Sequence, residues 1–195
     1  MATRAGLLRE KSERYWVDSM QKRYVPNEGD LVLGIITNRG AEAYDVDLGS
    51  AFEGTLPYDQ FEKATKKNRP PWDVGDLVYC RVTLANRDMD PELSCVNSRG
   101  KAAEFGGEGF SDGLLVRCSI RLARALMYKS NTCLKALGKA LPFEVAVGMN
   151  GRLFVKSPSA ATTLLVVAAI QNSEHLNDAD TVAMVAALVA RNAKK

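Results

Sequence analysis

Four sets of side chains in this 195-residue chain have types and spacings suited to chemistry on a polyanion. Asp45 and Asp47 stand at i, i+2, which on a strand places both carboxylates on one face, as a metal-dependent nuclease would need. No third carboxylate or histidine lies beside them, and His175, the only histidine, has no nucleophile placed next to it. Catalysis is therefore the lesser alternative. Lys63, Lys66, Lys67 and Arg69 put four cations within seven residues, either a phosphate-contacting track without sequence preference or a solvated face. Tyr44, Phe52 and Tyr58 are candidates for stacking bases of a single strand. Alternation puts Val46 and Leu48 on the same face as Tyr44, so that ring is equally well placed for a core. Arg121 and Arg124, with Arg117 assigned to a preceding strand, align on a helix and face RNA, an acidic partner or solvent.

A fifth feature is the tetrapeptide Gly148-Met-Asn-Gly151. G-x-x-G is the hallmark of KH domains, where it joins two helices and clamps nucleic-acid backbone. Its flanks here, residues 143–147 and 152–156, read instead as strands. Asn-Gly between such runs signals a two-residue hairpin turn with both central residues at positive φ. Gly148, Asn150 and Gly151 are thus expected to build a turn, with Asn150 and Gly151 at its centre. The loop that would grip RNA in an ordinary KH domain is Tyr128-Lys-Ser-Asn131, which has no glycine to admit a phosphate.

The elements that must position these residues fall into two groups. Residues 30–37, 42–48, 52–56, 76–85 and 92–97 read as five strands, with one longer excursion after the third, the pattern of an OB-type barrel. Residues 101–113 carry four glycines among polar neighbours and mark a flexible linker or an extended loop, where the domain boundary is placed. Beyond it the order is strand (114–119), helix to about 127, helix to about 140, the hairpin, and helices over 160–173 and 178–192. That β-α-α-β-β-α order is that of a KH fold with one helix added. The expected organisation is residues 1–25, a barrel over 26–98, a linker over 99–113 and an α+β KH-like domain over 114–195.

Composition agrees with a globular chain: 46% hydrophobic and 25% charged residues. No apolar run is long enough for a signal peptide or a membrane span, so a soluble intracellular protein with no membrane partner is expected. Cys80, Cys95, Cys118 and Cys133 form no close pair and are read as reduced thiols, with no metal and no cofactor expected. Residues 1–98 hold 13 basic against 16 acidic side chains, whereas residues 113–195 hold 11 against 4. The electropositive C-terminal part suits a polyanion, an acidic partner or a solvated basic face.

Four collinear segments carry a family resemblance. They are Tyr15-Trp-Val-Asp18 with Gln21-Lys-Arg-Tyr-Val-Pro26; Phe61-Glu-Lys-Ala-Thr-Lys-Lys-Asn-Arg-Pro70; Asn86-Arg-Asp-Met-Asp-Pro-Glu92 before Cys95; and Gly148-Met-Asn-Gly-Arg152. Together they resemble the S1/KH cap subunits of the RNA exosome over nearly the whole chain. The resemblance implies an S1 barrel followed by a KH-like domain in a non-catalytic subunit, which guides single-stranded RNA into a ring for 3′→5′ processing, ribosomal RNA included. It further implies RNase PH-like ring subunits and other cap subunits as partners, in the nucleus, nucleolus and cytoplasm. The family pattern has a β-rich N-terminal domain, of which residues 1–25 are expected to keep about the last strand, near residues 15–25. A stand-alone S1-type RNA-binding protein of translation is the other binding-module alternative.

Overall fold

A computed structural model describes residues 5–11, 13–18, 21–61, 72–86, 88–96, 110 and 112–192. The chain opens with an antiparallel pair, β1 (Leu7–Lys11) and β2 (Arg14–Asp18), two strands where the family resemblance implies about one.

A closed five-stranded barrel follows. Its strands β3 (Leu31–Arg39), β4 (Ala43–Asp47), β5 (Gly54–Pro57), β6 (Leu77–Leu84) and β7 (Glu92–Ser94) close in the order β3-β4-β5-β7-β6. Strand β3 is long enough to serve two neighbours. Its first half pairs with β6 from Leu31↔Arg81 to Ile35↔Leu77, and its second half pairs with β4 from Ile35↔Asp47 onward. Val32, Ile36, Tyr44, Val46, Leu48, Leu56, Val82 and Leu93 alternate inward and are fully or almost fully buried. Each aliphatic side chain so buried stabilises the barrel by ~1.5–3 kcal/mol.

The second unit runs β8 (Gly113–Arg117), α1 (Ile120–Met127), α2 (Thr132–Ala140), β9 (Glu144–Gly148), β10 (Arg152–Lys156), α3 (Ala160–Asn172), a 3₁₀ turn (Ser173–His175) and α4 (Asp178–Asn192). Its antiparallel sheet has the order β8-β10-β9. Ser119 caps α1 by accepting the Leu122 N–H, and Asn131 caps α2 by accepting that of Leu134. The helices cover one sheet face around Leu122, Leu126, Leu137, Leu153, Val166 and Ile170.

The barrel covers the sheet's other face. Leu33 and Tyr79 of the barrel pack with Ala146 and Phe154 of the sheet in a shared core, and the Tyr79 hydroxyl donates to the Val147 carbonyl at 3.1 Å. The two units are therefore joined through apolar packing rather than through the chain connection alone.

Candidate nucleic-acid interface

The Gly148-Met-Asn-Gly151 segment is a hairpin turn between β9 and β10, as its flanks imply, but its centre differs from the expected one. Gly148 and Arg152 are register partners, so the loop holds three residues. The Gly151 N–H bonds the Gly148 carbonyl at 3.1 Å, which makes Met149 and Asn150 the central pair. Gly151 alone takes positive φ, at 76°. This is the three-residue hairpin loop, a turn followed by a left-handed residue, rather than a two-residue turn.

That extra residue lets the turn reach the barrel. At residues 31–33 strand β3 has no β4 partner, which leaves one edge open. The Met149 N–H donates to the Leu31 carbonyl at 2.7 Å. Asn150 then uses its side-chain amide as a strand would use its backbone. Its Nδ2 donates to the Leu33 carbonyl at 2.7 Å, and its Oδ1 accepts the Leu33 N–H at 3.3 Å. The second Nδ2 hydrogen goes to the Leu48 carbonyl at 2.9 Å. The turn thus caps an open sheet edge. A Cβ on Gly148 would lie 2.7 Å from the Leu33 nitrogen, so glycine is what permits the approach.

Arg152 completes the junction and was not singled out by the sequence pattern. Its side chain is 5% exposed and bonds the Asp47 carboxylate at 2.6 Å, the Asp47 carbonyl at 2.5 Å and the Leu33 carbonyl at 3.3 Å. Burial alone would raise the Asp47 carboxyl. The Gly49 N–H, the Arg152 guanidinium bonds and the charges of Arg152 and Arg117 outweigh it and hold Asp47 below its ordinary value. Asp45 meanwhile accepts from the Asn38 amide at 3.0 Å. Both members of the acidic pair are engaged in structural contacts, and among the described residues no His/Cys/Asp/Glu group is arranged to hold a metal.

The aromatic candidates need correction. Tyr44 is fully buried, with its ring edge-on to Tyr58 at 4.7 Å and to Phe61 at 6.1 Å. Tyr58 is 8% exposed, and its hydroxyl donates to the Gly40 carbonyl at 2.6 Å. Neither ring offers a face to a base, because inward alternation on β4 puts Tyr44 beside Val46 and Leu48 in the barrel interior. Phe52, in the loop after β4, is 49% exposed and is the ring of the three that a base could reach.

Among the cations, Lys63, Lys66, Lys67 and Arg69 lie outside the described residues. Arg117 closes β8, as assigned, and Arg121 and Arg124 both sit on α1. Arg121 is exposed, while Arg124 is half-buried and donates to the Gln21 side chain at 3.2 Å. The loop at 128–131 caps α2 with Asn131 and leaves Tyr128 exposed.

A closed barrel packed on a β-α-α-β-β-α unit defines an S1–KH protein of the nucleic-acid-binding class. Family comparison agrees: residues 24–106 match the family "Exosome complex component RRP40, S1 domain", and residues 113–161 match "KH domain". The chain is 42% identical to exosome complex component rrp40 of Schizosaccharomyces pombe over 93% of its own length and 76% of that protein's. It is 42% identical to the Drosophila melanogaster RRP40 component over 89% of this chain and 75% of that protein, and 40% identical to the Homo sapiens one over 90% and 66%. The chain belongs to the RRP40 family of exosome complex components. A solved structure described as an exosome complex RNA-binding protein shares the fold, with a TM-score of 0.69 and 20% identity over 89% of this chain and all of that one.

Proposed function

We propose that this chain is a non-catalytic, RNA-binding cap subunit of an RNA exosome that guides single-stranded RNA into the ring for 3′→5′ processing and degradation. The observation that carries the reading is the use made of the G-x-x-G turn. In an ordinary KH domain it grips RNA; here its polar atoms bond the S1 barrel and tie the two units together. The proposed partners are RNase PH-like ring subunits, neighbouring cap subunits and RNA, in the nucleus, nucleolus and cytoplasm.

Two measurements test this. Affinity purification from the native source, read by mass spectrometry, should recover exosome subunits; ribosomes and translation factors alone would overturn it. Incubation with labelled single-stranded RNA, with magnesium or phosphate, should leave its length unchanged. Progressive 3′ shortening that is lost in the Asp45→Asn/Asp47→Asn variant would overturn the non-catalytic assignment.

A further inference from the structure

A second surface lies where the N-terminal segment, the barrel and the KH-like unit meet. Residues 21–24, the Asp47–Ser50 corner, the end of β8, the start of α1 and the 150–152 turn line an open cleft of about 680 Å³. Binding pockets commonly measure ~300–1,000 Å³. Lys22, Arg23, Arg117 and Arg152 line it against one carboxylate, Asp47, which Arg152 already neutralises. Lys22, Arg23 and Arg117 are exposed, so their charge is available to a ligand. Arg23 is held in place by donating to the Ser50 carbonyl at 2.8 Å. Ser119 and Ile120 line the cavity too, at the N-terminal end of α1, where the Ser119 hydroxyl already donates to the Glu174 carboxylate. Arg124, tied to Gln21, adds a further cation at the rim.

We infer that this interdomain cleft binds the phosphodiester backbone of single-stranded RNA, through Lys22, Arg23 and Arg117. The inference rests on the proposed RNA-binding function and locates one of its contacts. The cations converge on a concave site from two separate parts of the chain, which suits a narrow, flexible polyanion better than a flat acidic protein surface. Contacts here are with phosphate, so they are indifferent to base sequence.

The test uses the full chain and a fluorescein-labelled oligouridylate and oligoadenylate, with anisotropy titrations across a salt series. The Lys22→Ala/Arg23→Ala/Arg117→Ala variant should lose about tenfold in affinity for both oligomers at low salt. Its log–log salt slope should fall by about two, from ~0.7 per single-strand phosphate contact. A charge control, Lys135→Ala/Lys139→Ala, removes two cations from the separate groove between α2 and α4 and should leave the slope unchanged. If the control weakens binding as much as the cleft variant, general charge is responsible and the cleft is refuted. If the wild-type chain binds RNA and the cleft variant binds it equally well, the cleft is refuted while the proposed function stands. Loss of exosome co-purification with RNA affinity intact would reassign the cleft to an acidic protein. A wild-type chain that binds neither oligomer would overturn the RNA-binding function and the cleft together.

Discussion

Replacing Asn150 isolates the junction between barrel and sheet, because its side chain makes three hydrogen bonds to main-chain groups of the barrel. At ~1 kcal/mol net for each such bond, their loss in Asn150→Ala costs ~3 kcal/mol. The Leu33 carbonyl keeps the Arg152 guanidinium at 3.3 Å, which lowers the sum. The Leu33 N–H loses its side-chain partner in a part-buried setting, which raises it again. The net expectation is ~2–4 kcal/mol, or roughly 4–16 °C in melting temperature for a chain of this size. Asn150→Asp goes further. It keeps the acceptor for the Leu33 N–H, but it puts a carboxylate oxygen where the amide nitrogen donates to two carbonyls, at 2.7 and 2.9 Å. Differential scanning calorimetry should therefore rank the proteins wild type, Asn150→Ala, Asn150→Asp in falling stability. The folded fraction of Asn150→Ala, which keeps every cleft cation, should hold RNA affinity close to wild type, whereas Asn150→Asp sets a carboxylate at the cleft wall and should weaken it. A melting temperature for Asn150→Ala within about 2 °C of wild type would refute the edge-capping argument, at ~2–4 °C per kcal/mol. So would a wild-type melting temperature combined with a large loss of RNA affinity, which would return the motif to nucleic-acid clamping.

Gly151→Val adds a Cβ 2.7 Å from the Cys118 carbonyl oxygen at a φ of 76°, so it should lower the melting temperature and incorporation into the exosome; thermal melts and co-purification read both. Asp47 has a depressed carboxyl value in the folded state, so its contribution is present above the ordinary value of 3.8 and is lost as pH falls through the folded one. The melting-temperature gap between wild type and Asp47→Asn should accordingly be widest near neutrality and close in acid; a gap that widens on acidification would reverse the sign. Tyr44→Ala should cost ~3–5 kcal/mol as a large-to-small core change, read by chemical denaturation. Tyr44→Phe should leave RNA affinity unchanged, and a selective loss there would put that ring back on the RNA path. Phe52→Ala, at an exposed ring, should weaken RNA binding by ~1–3 kcal/mol with little change in stability; unchanged affinity in the anisotropy titration would remove it from the interface.

Much of the architecture was legible in local pattern. The five barrel strands, the two helices after β8 and the hairpin between β9 and β10 all follow from alternation, capping residues and turn chemistry, which act over a few neighbouring residues. The turn's length was not legible, because Asn-Gly fits a two-residue turn equally well. What selects the three-residue form here is the contact of Met149 and Asn150 with Leu31 and Leu33, more than a hundred positions away. The face of Tyr44 was open for a similar reason: alternation grouped it with Val46 and Leu48 without saying which side of β4 the barrel would enclose.

The sequence by itself determined the class of each unit, their order, and the absence of a glycine loop where a KH domain would hold RNA, since all three depend on residue type and short spacing. Only the tertiary structure decided what the displaced Gly-Met-Asn-Gly segment does, why Arg152 is buried against Asp47, and where Lys22, Arg23 and Arg117 converge. The physical reason is that an open strand edge, a desolvated ion pair and a concave cationic surface are all properties of groups brought together by folding. None of them exists in the extended chain, where Asp47 and Arg152 stand 105 positions apart.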